Sequence, residues 1–259
     1  MEKVVNINPL FYISGLGMVA VAIIAILYIL NQNASPFILF LGGLSWIISV
    51  AMKFLWASKT NKKVLEYLND HLSPELSGPL SWSYIGLLTG VFECGFVLIL
   101  VLFTPLLYQA TWIDVLAFGI GFGAIESLFI GIISILTLIK PQNITPDTLE
   151  RYELNRNNLL TIPLGIVERI STLFIHIFTC ALIFIAVQEG SYFFFWVSFL
   201  FKSLIDSIAG WLHLEKDIKN VKSAYQHWKY QLIFLVLGGC KVCGCCYFVM
   251  CFCVQFFIL

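Results

Sequence analysis

Apolar residues fill seven long runs of the chain, and short polar segments separate them. The runs cover residues 10–31, 36–56, 83–107, 112–139, 163–187, 190–214 and 231–259. A bilayer core takes about 20 apolar residues per helix, so each run is long enough to span one. Backbone groups in lipid must pair internally, which favours helices over strands. The pattern predicts an all-α polytopic transmembrane helix bundle with six core spans and a seventh C-terminal span.

The basic residues of the connections indicate the orientation of the spans. They cluster before the first run and after runs two, four and six, at Lys3, Lys59, Lys62, Lys63, Lys140, Arg151, Arg156, Lys216, Lys219, Lys222 and Lys229. The connections on the opposite side hold no Lys or Arg. Because cytoplasmic loops carry the excess of basic residues, we expect the N-terminus and the long loops to be cytoplasmic.

The composition agrees with a membrane protein. Hydrophobic residues make up 59% of the chain and charged residues 12%, whereas soluble domains are about 25% charged. The net charge is zero and no basic patch stands out, so nucleic acid is not an expected partner. We expect a membrane-embedded domain over 1–215, with an interfacial amphipathic helix at about 57–79. We expect residues 216–259 to form a cytoplasmic loop and a Cys-rich C-terminal apolar segment.

Cysteines are concentrated in that last segment. It contains a C-x-x-C spacing within an apolar run, with no histidine beside it. A structural zinc site needs four ligands in a closed tetrahedron. The pattern therefore favours small apolar residues in a lipid-facing helix over a metal site.

Ionisable residues interrupt four consecutive apolar runs. Glu93, Glu126, His176 and Asp206 lie within them, at depths of roughly 12–20 Å for a rise of 1.5 Å per residue. An ionisable group at the bilayer centre costs roughly 2.5–3.5 kcal/mol on insertion scales. Each one alone could be a structural group with a satisfied polar atom. Their common depth predicts one interior site, and Lys202 is placed to pair with Asp206 at i,i+4.

Four short segments in this order resemble the YhfC-type family of intramembrane proteases. They are Phe92–Gly95, Phe118–Ser127, Glu168–Ile177 and Lys202–Asp206. That family is similar to the PrsW proteases and to the group that includes the CAAX prenyl endopeptidases. The resemblance covers roughly residues 10–215.

The resemblance implies hydrolysis of a peptide bond within the membrane. Glu93, Glu126, His176 and Asp206 match positions of the catalytic motifs. The resemblance further implies that Glu126, His176 and Asp206 hold a metal ion, zinc being the candidate. The substrate would be a transmembrane or lipid-anchored protein in the same bilayer, which would be the plasma membrane of a prokaryote.

The sequence departs from the family pattern at four positions. Phe92 takes the place of the first of two acids, and Phe96 that of an arginine. Phe122 stands where YhfC-type members tend to have His, although Phe122-x-x-x-Glu126 fits the PrsW form. Lys202 stands where the histidine of an H-x-x-x-D motif would be. An ammonium group at this position would repel a metal ion.

Three functions remain open on these departures. The chain could be a protease with an altered centre, or a non-catalytic relative that binds transmembrane helices as a chaperone or regulator. A transporter with an ion or proton path is less favoured, because we find no internal repeat. A salt bridge between Lys202 and Asp206 is expected to close the site.

Overall fold

The computed structural model describes residues 10–139, 159–214 and 224–239, which form helices and no strand. Six of the helical segments are long and apolar enough to cross a membrane: Phe11–Asn31, Pro36–His71, Pro74–Phe103, Trp112–Ile139, Ile162–Gln188 and Phe193–Leu212. They correspond to the first six apolar runs. The predicted all-α polytopic bundle with six core spans is therefore confirmed.

The helices in chain order are α1 (Phe11–Asn31), α2 (Pro36–His71), α3 (Pro74–Thr89), α4 (Gly95–Phe103), α5 (Pro105–Tyr108), α6 (Trp112–Ile139), α7 (Ile162–Gln188), α8 (Phe193–Leu214) and α9 (224–239). A π-helical turn, Gly90–Cys94, joins α3 to α4. A 3-10 turn, Leu159–Thr161, leads into α7.

Helix α2 differs from the sequence-based boundaries. The segment 57–79 was expected to be a separate interfacial helix, but α2 continues unbroken to His71 and α3 begins at Pro74. The reason is local, because residues 44–73 contain no glycine or proline that would end a helix. Proline is instead favoured in the first turn of a helix, which is where Pro74 lies.

The chain divides into two compact units. The first consists of Met1–Tyr28, Gly123–Ile175 and Asp217–Leu259, and the second of Ile29–Phe122 and His176–Lys216. Glu126 thus falls in the first unit, whereas Glu93, His176 and Asp206 fall in the second.

Small residues bring α3 and α8 together in the second unit. A Cβ added at Gly86 would overlap the Ser207 hydroxyl and the Ser203 carbonyl, and one added at Gly90 would overlap the Ser203 hydroxyl. Such contacts let two helix backbones approach closely in a membrane, where packing rather than hydrophobic burial drives association. This close approach positions the residues of the candidate site.

In the first unit, α9 packs against α7 through a buried stripe. The stripe recurs every three or four residues, at Ala224, His227, Gln231, Phe234 and Gly238. The Ser171 hydroxyl donates to the Gln231 carbonyl at 3.4 Å, and the Trp228 ring N–H donates to the Leu160 carbonyl at 2.8 Å. The helix begins at 224, ahead of the apolar run expected from 231, and the Cys-rich part, 240–259, lies outside the described residues.

The close approach at Gly86 can be tested by substitution, with Gly210 as the control position. Gly86→Ala should lower the stability by about 1–3 kcal/mol, because the new methyl group meets the backbone of α8. Gly210→Ala should raise the stability by roughly 0.5–1 kcal/mol, since a Cβ at Gly210 meets nothing within 4 Å and alanine favours a helix. Thermal unfolding in detergent micelles measures both. Equal effects of the two substitutions would contradict the packing.

Candidate active site

Glu93 lies in the π-helical turn between α3 and α4. A π turn contains one residue more than an α-helical turn. Such turns are rare in proteins, and those that occur often lie at functional sites. Glu93 and the next residue, Cys94, are both buried. The turn therefore presents a carboxylate and a thiol toward the interior of the second unit.

Four charged side chains of the second unit form a chain of ion pairs with alternating sign. The Lys53 Nζ donates to Glu93 Oε1 at 2.6 Å and to Thr89 Oγ1 at 3.4 Å. The Lys202 Nζ lies 3.5 Å from Glu93 Oε2 and donates to Asp206 Oδ1 at 3.2 Å. The expected pairing of Lys202 with Asp206 is confirmed. We call Lys53, Glu93, Lys202 and Asp206 the lysine–carboxylate chain.

The lysine–carboxylate chain is buried in its middle and partly exposed at its ends. The Glu93 and Lys202 side chains are each 5% exposed, whereas Lys53 is 21% and Asp206 26% exposed. Charges in a low-dielectric interior must be paired, and removal of one partner leaves an uncompensated charge. Glu93 and Lys202, the two buried members, therefore each depend on the oppositely charged groups beside them.

A small cavity adjoins the buried middle of the lysine–carboxylate chain. Its volume is about 10 Å³, about the space of one water molecule. The wall includes Glu93, Cys94, Phe122, His176, Cys180 and Lys202.

His176 is the imidazole of this wall. It is 1% exposed, and its ring centre lies 4.9 Å from that of Phe122 at an angle of 45°. The cavity thus brings His176 together with Phe122 and Lys202, the two positions at which the resemblance implied histidines.

A second charged cluster lies in the first unit. The Arg169 guanidinium donates to Glu126 Oε1 at 2.5 Å and to Glu168 Oε1 at 2.6 Å. Arg169 is buried, with 6% of its side chain exposed, and Glu126 is 15% exposed. The Glu126 carboxylate is therefore held by a fixed cation from α7.

The structure brings three of the four predicted catalytic residues into one unit. Glu93 and His176 share the cavity, and Asp206 reaches Glu93 through Lys202. Glu126 belongs to the first unit, so its convergence with the other three stays a prediction.

Sequence reasoning missed three contributors to the site. Lys53 was visible as a charge within an apolar run, but nothing in the sequence linked it to Glu93, 40 residues away. The buried thiols of Cys94 and Cys180 share the cavity. Although Cys94 lies in one of the four motif segments, neither thiol indicated a role of its own, because cysteine behaves as a small hydrophobic residue.

The fold and the site define a polytopic membrane protein with a buried ionisable centre. The family described as YhfC intramembrane metalloprotease matches residues 17–224. The chain belongs to this family, and the resemblance read from its four short segments is confirmed. No curated protein and no solved structure matches the chain.

The family description implies a metal ion, but the residues of the second unit do not fit one. In the parts of the chain that the structure describes, no three His, Cys, Asp or Glu side chains are gathered as ligands of one metal. The carboxylates of Glu93 and Asp206 hold the Lys202 ammonium instead. A divalent cation added there would meet this positive charge at short range. The set of Glu126, His176 and Asp206 draws on both units and stays a prediction.

The buried pairing of Lys53 with Glu93 predicts a measurable coupling. Lys53→Met and Glu93→Gln should each destabilise the protein, and the double substitution should cost less than their sum. We expect a coupling of roughly 0.5–3 kcal/mol, because the residues share one ion pair.

The control is the exposed pair of Lys62 and Glu66, whose side chains are 85% and 60% exposed. Lys62→Met should change stability by less than about 0.5 kcal/mol. Chemical unfolding in micelles measures all four variants. Additive effects of Lys53→Met and Glu93→Gln would show that the pair contributes nothing.

Proposed function

We propose that this YhfC family member binds a transmembrane segment of another protein and does not cleave it by metal-dependent hydrolysis. The observation that carries the proposal is the wall of the cavity. Phe122 and Lys202 line it together with His176. At both departures from the family's histidines, the chain therefore offers a side chain that cannot bind a metal in the same small space.

The chemistry of these side chains supports the loss of hydrolysis. A catalytic zinc lowers the pKa of its bound water and polarises the carbonyl, and it needs three protein ligands. A phenyl ring has no ligand atom, and a charged ammonium only donates. Glu93, the carboxylate of the cavity, accepts from Lys53 and faces Lys202. Its carboxylate is therefore occupied by two ammonium groups, whereas a general base needs a carboxylate that can accept a proton from water.

The same site supports binding of a helix. Lys53 and Asp206 are the partly exposed ends of the lysine–carboxylate chain, and they lie on helices that are apolar enough to span a bilayer. A polar group on the transmembrane helix of another protein would be stabilised by a hydrogen bond to Lys53 or Asp206, because in lipid it would otherwise have no partner. A family of intramembrane proteases must also admit substrate segments.

A cleavage assay combined with zinc analysis tests this proposal. A reporter with one transmembrane helix should stay intact with the wild type, and the purified protein should bind no zinc at the cavity. Phe122→His with Lys202→His should bind about one zinc per chain, because three imidazoles then line one cavity.

The matched control is Ile183→His, which adds one imidazole to the same wall outside the family positions and should bind no zinc. The double variant must be compared with the wild type, since both keep the same cysteines. Reporter cleavage by the wild type that disappears in Glu126→Gln would overturn the proposal and favour an active protease with an altered centre.

We further propose that the N-terminus and the long loops face the cytoplasm of a prokaryotic cell, as the distribution of Lys and Arg indicates. Single cysteines at Thr60 and Ala110 test this in a background without the eight native cysteines. A membrane-impermeant maleimide added outside intact cells should label the cysteine at 110 and not that at 60. Labelling of both from the same side would refute the orientation.

A further inference from the structure

We infer that the lysine–carboxylate chain recognises a transmembrane segment that carries an uncharged group able both to donate and to accept hydrogen bonds. The carboxamide of asparagine or glutamine is such a group. The inference rests on the proposed function, namely that this protein binds a transmembrane segment. It goes further, because it names the polar group that the segment carries and excludes a segment with a charge at that position.

The charge balance of the lysine–carboxylate chain disfavours a charged ligand group. Two ammonium groups and two carboxylates alternate along it, so its formal charges cancel. A charged side chain brought against either end would add one uncompensated charge beside a centre that is 5% exposed. Such a charge loses its hydration and gains no net counter-charge in return. A neutral polar group avoids this cost.

Each end of the lysine–carboxylate chain keeps one hydrogen-bonding position unused within the part of the protein that the structure describes. An ammonium group has three N–H donors, and Lys53 gives two of them, to Glu93 and Thr89. Asp206 accepts from Lys202 through Oδ1, which leaves Oδ2. One end therefore offers a donor and the other an acceptor, so a ligand group that satisfies both must itself accept and donate.

The two ends are turned toward the interior of the second unit. On α2, Lys53 lies one turn after Ser49, which is fully buried. On α8, Asp206 lies one turn after the buried lysine with which it pairs. By contrast, the nearby Phe54 and Leu204 point away from this interior and are 65% and 58% exposed. The unused donor and acceptor therefore border the π-helical turn, against which both helices pack.

The two ends are close enough for one helix to meet both. Three contacts of 2.6, 3.5 and 3.2 Å join Lys53 to Asp206 through a single carboxylate and a single ammonium. Two turns of an α-helix rise about 11 Å. Two polar side chains placed two turns apart on a ligand helix therefore span a comparable distance.

The carboxamide suits these positions better than a hydroxyl does. Asparagine and glutamine each carry two N–H donors and an acceptor oxygen, so the same side chain can satisfy either end. In a helix, a serine or threonine hydroxyl tends to donate to the carbonyl four residues before it, as Ser45 and Ser81 do in this protein. Its donor is then used within its own helix.

The test is binding of synthetic transmembrane helices to the purified full-length protein in micelles, measured by the fluorescence anisotropy of a dye on the peptide. One leucine–alanine host helix carries leucine, asparagine, lysine or aspartate at two positions that are two turns apart. The asparagine helix should bind about tenfold more tightly than the leucine helix, as two interhelical hydrogen bonds of ordinary strength would give. The lysine and aspartate helices should bind no more tightly than the leucine helix.

Substitutions in the protein assign the preference to the two ends. Lys53→Met removes the donor and Asp206→Leu removes the acceptor, and each should reduce the preference for asparagine to about threefold or less. Lys53→Arg, which keeps a charged donor, should retain the preference. The matched control is Lys62→Met, which removes an exposed lysine further along α2 and should leave the preference unchanged. The peptide series needs only the wild type, so it decides the question if a variant yields no folded protein.

Three outcomes overturn the inference: a charged helix that binds as tightly as the asparagine helix, equal binding of the asparagine and leucine helices, or a preference that survives both Lys53→Met and Asp206→Leu. Loss of the preference on addition of phosphatidylethanolamine, but not of phosphatidylglycerol, would also overturn it, because a zwitterionic headgroup would then be the occupant. None of these refutes the proposed function, since a helix still binds. Failure of every helix to bind refutes the proposed function and the inference with it, whereas cleavage of a bound helix refutes the proposed function alone.

Discussion

The pairing of buried charges is the constraint on which the second unit depends. Glu93 and Lys202 are almost fully enclosed. Glu93 pairs with Lys53 and Lys202, and Lys202 pairs with Glu93 and Asp206. Their contact fixes the distance between the π-helical turn and α8, and Lys53 adds α2 to the same arrangement. The ion pairs also require small residues, glycine and serine, where α3 and α8 cross, because larger residues would hold the charges apart.

The spans could be predicted from the sequence because their signal is local. An uninterrupted run of about 20 apolar residues is enough to indicate a membrane helix. The pair of Lys202 and Asp206 was accessible for the same reason, since one turn of α8 separates them. The full length of α2 could not be predicted in this way. An amphipathic segment such as 57–71 has the same residue pattern whether it is a separate interfacial helix or the polar continuation of a membrane span.

The rest of the site depends on contacts between distant segments. Lys53 and Glu93 lie on different helices, and no periodicity relates them. The π-helical turn leaves no recognisable trace in the residues Gly90–Cys94. Glu126 shows the opposite case, because its motif was evident but its pairing with Arg169, 43 residues later, was not. Motifs thus identified candidate residues, and only tertiary structure showed which charges neutralise them.

The length of α2 connects the interior of the membrane with the aqueous phase. Its 36 residues extend for about 54 Å at a rise of 1.5 Å per residue, while the hydrocarbon layer is about 30 Å thick. Lys53, which holds the buried carboxylate, and His71, at the polar end, therefore belong to one rigid rod. A tilt of the rod about Lys53 moves its far end by about 0.5 Å per degree. Any tilt that begins at the buried ion pair would therefore be largest at the polar end of α2.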